Sequence, residues 1–372
     1  MLTFLEFAML LEGRSFVLNG KKYSSGFGHY TCNGKSITKD EYELATANYQ
    51  QSNQMIRNDE FNEYKPQKNI LAYEEYLRKM TGMDINLGAA SNKTVADVVA
   101  RSVYTIYTKY PKLFNSKSLK SLGSTTSLKH DLAYEYYESW KNDTHYMQSL
   151  NKNIDKMWKY NNIGADNSSI DENLVYLGIT PNSKDANEMC AKIGVKQSTD
   201  KITPEIVKNL RKHYTDYCIR KQAETYVSKL PIFSGTGNFI AYYHYNPNYS
   251  KGIYINNKVF NDYIKSATRH IIKSSSGDSP KGTDKEFIII HEFGHAIDNL
   301  LNLRENEEIK KIYNELDKET IAKELSLYAT TDIKEFIAEA FGEYHNSKTP
   351  RKIATQIGTI VERLYKDYEG EN

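Results

Sequence analysis

The chain is poor in cysteine. Its 372 residues include three, Cys32, Cys190 and Cys218. An odd, widely spaced set argues against a disulfide framework and against a cysteine-rich zinc module. Charge of one sign is also lacking. Forty-nine Lys and Arg against 47 Asp and Glu leave a net charge of +2, too little to build a field for nucleic acid or a membrane surface. Long apolar runs are missing, so no membrane span is expected. No internal repeat is visible. Residues 1–11 are apolar enough to suggest a signal segment. They carry Glu6, have no basic flank and lead to no small-residue cleavage site, so secretion through a signal peptide is not expected. Thirty tyrosines are abundant, and beside many Lys and Asn they fit AT-rich coding better than a function.

The length allows about two or three domains and a sizeable core. Residues 1–11 read as a short amphipathic helix and 14–37 as a small β element. In that element Asn19-Gly20 and Asn33-Gly34 are hairpin-turn dipeptides between short alternating runs. Thr38 and Glu41 form a capping box that predicts a helix through Tyr42, Leu44 and Tyr49. From 46 to 230 the pattern is mainly helical, punctuated by Asn and Ser clusters. Thr203-Pro204-Glu205 opens a helix that should run to about Leu230. This stretch carries no motif of chemistry. At 231 the character changes. Residues 239–245 and 253–256 read as a hairpin around a turn at 246–252, and 274–282 as a polar loop. Thr283 with Glu286 is a second capping box. Ile353, Ile357, Val361 and Leu364 share one face of a last core helix over 349–368. The expected fold is α+β. A 1–45 module with a small β-hairpin precedes a mainly helical 46–230, and a further domain occupies 231–372.

The helix opened by Thr283 contains His291-Glu292-Phe293-Gly294-His295, an HExxH pattern. On a helix, positions i and i+4 share a face, so both imidazoles can bind one metal ion. Zinc suits that donor pair, and Glu292 is then placed to deprotonate a zinc-bound water. Phe287 to Ile290 make the helix apolar enough to be buried, and buried polar groups need partners that a metal supplies. Two histidines leave a catalytic zinc site one protein ligand short. The segment 328–345 offers several candidates. Thr330 or Thr331 can cap a helix there, and Glu335, Glu339 and Glu343 form an i, i+4, i+8 stripe along it. Periodicity alone leaves two readings of that stripe, a solvated acid face or a face that meets a cation. His244, His270 and His345 lie off the ligand pattern and read as ordinary histidines.

The combination resembles one family. HEFGHAxD at 291–298, a Tyr at 328 seven residues before Glu335, and an EFxAEAF run over 335–341 look like the catalytic domain of the anthrax lethal factor family. These are zinc metallopeptidases of the gluzincin type, with related domains in bacteriophage and mobile-element proteins. The resemblance covers roughly 235–372, about a third of the chain. It implies a zincin-like domain and one Zn2+ per chain, held by His291, His295 and Glu335. Glu292 would be the general base, and Tyr328 would donate to the oxyanion or the leaving amine. Asp298 and Glu339 are read as groups that orient the histidines or support the ligands. Zincin-type peptidases hold an extended protein substrate on an edge strand. Ile253, Tyr254, Ile255 and Asn256 are the candidate for that edge.

A second resemblance lies at the start. Residues 1–7, with Leu10-Leu11-Glu12 before Gly13, look like the capsid-targeting leaders of internal proteins in T4-like phages. Leu2, Phe4, Leu5 and Leu11 give an apolar face for a capsid or scaffold partner. That resemblance implies a protein packaged in the virion interior and acting in the bacterial host cytoplasm. The leading expectation is a zinc endopeptidase, either a packaged effector or a virion-processing protease. The alternative from another class is a non-catalytic phage structural or interaction protein with a zinc-stapled domain.

Overall fold

The computed structural model describes residues 15–18, 21–26, 29–32, 35–37, 41, 61, 63–88, 91–165, 168–195, 201–233, 239–269, 280 and 282–371. The leader at 1–12, the two Asn-Gly turns, the helix expected through 42–49 and His270 fall outside them. The chain forms two compact units, Met1–Gln67 and Lys68–Asn372. The sequence reading placed divisions after 45 and after 230. The second of these cuts through one sheet, because strands from the helical stretch pair with the hairpin beyond it.

In the first unit, β1 (Ser15–Leu18), β2 (Lys21–Gly26), β3 (His29–Cys32) and β4 (Lys35–Ile37) form an antiparallel meander. Tyr23 pairs with Phe16 on one side and Cys32 on the other. The expected β element is a four-stranded sheet that contains the two expected hairpins, β1–β2 and β3–β4.

The second unit is mainly helical around a small mixed sheet, an α+β arrangement. Its strands are β5 (Asp84–Asn86), β6 (Ser121–Ser124), β7 (Ala241–Tyr245) and β8 (Lys251–Ile255), in the order β5-β6-β8-β7. The β7–β8 pair is the expected hairpin. The neighbouring pairs β5–β6 and β6–β8 are parallel, so β8 is internal. Alternate residues of β7 point to opposite faces. Tyr242 joins Leu128, Leu132 and Val227 in a cluster under the helix Thr125–Asn142. Tyr243 faces the helix that carries the HExxH pattern. A separate cluster that includes Leu150, Ile154, Leu174, Met189 and Leu210 holds the helices between 144 and 228 together. Thr203 caps the last of these helices, Pro204–Ser228, as its sequence predicts. Among the described residues no helix is long and apolar enough to cross a membrane.

The motif helix spans Phe287–Leu301. Phe287, Ile290, Phe293 and Ile297 are fully buried along it, and each contributes about 1.5–3 kcal/mol by leaving water. The expected capping box does not form. Thr283 Oγ1 donates instead to the Pro280 carbonyl, and Asp284 Oδ1 takes the Glu286 N–H at 3.0 Å. Asn302, in the left-handed region at φ 56°, ends the helix. The acid helix, Ile333–Asn346, starts on Asp332, whose Oδ1 accepts from the Lys334 and Glu335 N–H groups. Asp332 rather than Thr330 or Thr331 is the cap. The C-terminal helix, Lys352–Glu371, buries Ile353, Ile357 and Val361 as expected, together with Tyr365, while Leu364 stays half-buried.

The motif and acid helices cross at two small residues. A Cβ built on Gly294 would lie 2.8 Å from the Ala338 Cα and 3.2 Å from its carbonyl oxygen. Backbone meets backbone there, and no side-chain rotation relieves it. Alanine in place of an interior helical glycine ordinarily stabilises by about 0.5–1 kcal/mol. Overpacking costs about 1–3 kcal/mol, so at this crossing the clash wins. Gly294→Ala is expected to lower the denaturant unfolding midpoint. A raised midpoint would show that the helices do not approach this closely.

Candidate metal centre

The crossing sets His291 and His295 against Glu335. One ligand atom from each of the three lies within 4.8 Å of the others, so the group could hold a metal ion. His291 Nε2 is 3.2 Å and His295 Nε2 is 3.4 Å from the same oxygen, Glu335 Oε2. That oxygen is buried and has no hydrogen-bond partner. The other nitrogen of His291, Nδ1, lies 2.8 Å from Glu339 Oε1. An ionised carboxylate only accepts, so in the neutral imidazole, the form that binds a metal, Glu339 keeps the proton on Nδ1 and Nε2 turns a lone pair toward Glu335. A lone pair facing an unpartnered carboxylate oxygen is repulsive unless a cation sits between them. One divalent ion satisfies all three groups at once, and the residues therefore fit a metal.

Electrostatics agree. With no cation between these groups, burial opposes charge on His291, but Glu335 and Glu339 outweigh it and hold the imidazole charged up to about 10, so a proton takes the place a metal ion would fill. Burial also works against the Glu335 carboxylate, yet the two histidines hold it well below the usual range. The pocket is thus built for one positive charge among these groups. Glu339 is 1 % exposed and also accepts from Ser326 Oγ at 2.6 Å, which fixes it behind His291. Glu339 is thus placed to orient His291, the role the sequence reading expected for it.

Glu292 lies beside this group, close enough to feel the charges of His291, His295 and Glu335. Its Oε2 accepts from the Tyr243 N–H at 2.7 Å. Burial pushes its carboxyl up, against the pull of His291, His295 and that N–H. A buried carboxylate shifted toward neutrality suits a general base. Tyr328 lies in a short 3-10 turn, Tyr328–Thr330, just before the acid helix. Its ring centroid is 5.9 Å from that of His291, and the residue is 41 % exposed, so a ligand can reach it. Burial, then the charges of Glu335 and Glu292, push its hydroxyl above the ordinary tyrosine value. It keeps its proton at neutral pH and turns its hydroxyl toward Glu335, at the rim of the group.

Two expectations change. Ile253, Tyr254 and Ile255 lie in β8, which is 0–1 % exposed at these residues and paired on both sides. With Asn256 just after it, this strand offers no free edge, because β6 fills the side that the sequence left open. The edge next to the metal centre is β7. Asn256 N donates to the Ile240 carbonyl and Asn246 N to the Ser250 carbonyl, so the even residues bond to β8. The N–H and C=O groups of Ala241, Tyr243 and Tyr245 then point outward. Asp298 is the second change. It pairs with Arg304 Nη2 at 2.6 Å and accepts from the Arg304 N–H at 2.9 Å, tying down the end of the motif helix rather than a histidine.

The sequence pattern did not reveal Tyr243, Asn299 or Arg351. Arg351 closes on Glu343, donating from Nε to Oε1 at 2.9 Å and from Nη2 to Oε2 at 2.8 Å. His244 contacts Glu135 Oε1 at 2.9 Å, away from the centre. His345 is not a ligand either, since Tyr110 Oη lies 2.9 Å from its Nε2 and Lys109 Nζ 3.3 Å from its Nδ1. Burial, then Lys109, pushes the His345 imidazole down from 6.5 to about 3. The unfolded chain binds that proton first, so stability falls as pH drops from about 6.5 toward 3. In melting curves across that window, His345→Gln should show a shallower loss than the wild type. Equal slopes would show that His345 is not held neutral.

No protein-family model, curated protein or solved structure matches the chain, and its function is inferred from the centre itself.

Proposed function

We propose that this chain is a zinc-dependent endopeptidase of the lethal-factor-like gluzincin kind, with a zincin-like catalytic body. The observation that carries the proposal is the convergence of His291 Nε2, His295 Nε2 and an unpartnered Glu335 Oε2 beside the buried Glu292. In this reading the body includes β5 and β6 and so reaches well before residue 231.

His291, His295 and Glu335 would hold the zinc, a set of two imidazoles and one carboxylate of the kind used in catalytic sites. When bound, zinc supplies Lewis acidity and brings the ionisation of water close to neutral pH. Glu292 takes the proton of the attacking water and passes it to the departing amine nitrogen. Its hydrogen bond from the Tyr243 N–H occupies Oε2 and leaves Oε1 for that work. Tyr328 donates its hydroxyl to the developing oxyanion. The substrate backbone pairs with the outward groups of β7 at Ala241 and Tyr245, which replaces β8 as the substrate edge. Main-chain pairing suits a polypeptide substrate.

A metal used only as a staple needs neither a base such as Glu292 nor an exposed Tyr328. Wild type and Glu292→Gln are to be assayed for bound zinc and incubated with bacterial lysate, followed by profiling of new protein N-termini. Zinc in both, with new termini only from the wild type, is the expected result. No zinc in the wild type overturns the proposal, and zinc in both with cleavage by neither leaves the structural staple. Glu335→Ala should lose the ion. Glu339→Ala should weaken binding by about 10- to 100-fold while retaining the site.

A further inference from the structure

We infer that Tyr243 is the positioning residue for His295, doing on the strand side what Glu339 does for His291. The inference rests on the metal reading of the centre. The two histidines are not held alike. His291 has a carboxylate behind it, 2.8 Å from Nδ1. Among the described residues the one carboxylate within ion-pair distance of His295 is Glu335, on the ligand side at 3.4 Å from Nε2. The terminal torsion of histidine is broad, so an imidazole with nothing behind it turns readily out of ligand geometry. A metal site built this way needs another stop.

Tyr243 supplies it. Its ring lies nearly parallel to the His295 imidazole, with 18° between the planes and 6.4 Å between centroids. The ring is itself clamped at both ends. At the backbone, its N–H donates to Glu292 Oε2 at 2.7 Å. At the tip, its hydroxyl donates to the Ser118 carbonyl at 2.7 Å and accepts from Asn299 Nδ2 at 3.3 Å. Asn299 Nδ2 also reaches the His295 carbonyl at 3.3 Å, and Arg304 holds Asn299 Oδ1 at 2.9 Å. Glu292 and Asn299 are seven residues apart, two turns along one helix face, with His295 between them. One residue of β7 therefore spans the base, the second histidine and the helix end. It ties the edge strand to the metal centre.

The test compares wild type, Tyr243→Phe and Tyr243→Ala. Zinc affinity is measured by chelator competition, the visible spectrum of the Co2+-loaded protein is recorded, and melting is followed without metal. Tyr243→Ala should bind zinc about 10- to 100-fold more weakly, the usual effect of removing a group that orients a ligand. Its Co2+ bands should shift as His295 loses its set angle. Tyr243→Phe keeps the ring and the N–H, so it should fold and restore most of the affinity. A residue that only packs would lower the metal-free melting temperature and leave affinity and spectrum unchanged. Wild-type affinity and spectrum in Tyr243→Ala would overturn the inference while the metal reading stands. A wild type that binds neither ion would overturn both.

Discussion

Everything at this centre depends on how closely two helices cross. Gly294 and Ala338 let the motif helix and the acid helix meet backbone to backbone. At that separation His291 and His295 on one helix reach Glu335 and Glu339 on the other. A larger residue at either position would push the imidazoles away from the carboxylates. The buried charges would then be left without partners, and an uncompensated buried charge is among the most costly defects a fold can carry. Close packing and the polar site are one arrangement.

The acid helix shows how that cost is avoided. Its three stripe acids lie on one face and each meets its own positive or donating group. Glu335 faces the two histidines, Glu339 takes His291 and Ser326, and Glu343 takes Arg351. Glu339 and Glu343 are almost fully buried. Arg351 lies beyond the end of the helix and turns back to it, while Ser326 precedes its start. The acid face is therefore closed by segments that flank the helix in sequence. Of the three, Glu335 alone keeps a buried oxygen without a hydrogen-bond partner, and that is where a metal fits.

Much of the centre was legible in the chain. The i, i+4 spacing of His291 and His295 places both on one helix face whatever surrounds them, because helix geometry is local. The spacing of Glu335, Glu339 and Glu343 is legible for the same reason. So is the 239–256 hairpin, whose alternation and turn residues act over a few positions. The caps were less secure. Thr283 bonds back to Pro280 instead of opening the helix, since a hydroxyl competes for whichever backbone group is nearest.

The sequence by itself determined which side chains could serve as ligands and which faces they share. It did not determine their neighbours. That β8 lies inside a sheet and β7 at its edge follows from parallel pairing with β6, more than a hundred residues away. That Tyr243 lies against His295 likewise depends on contact between distant segments. Asp298 meets Arg304 because the chain turns back after the motif helix, a turn that helical spacing does not report. Periodicity reports the face of an element but not the element that covers it. Only tertiary packing assigns each buried polar group its partner, and at this centre those assignments decide which acid faces the histidines and which strand lies at the sheet edge beside them.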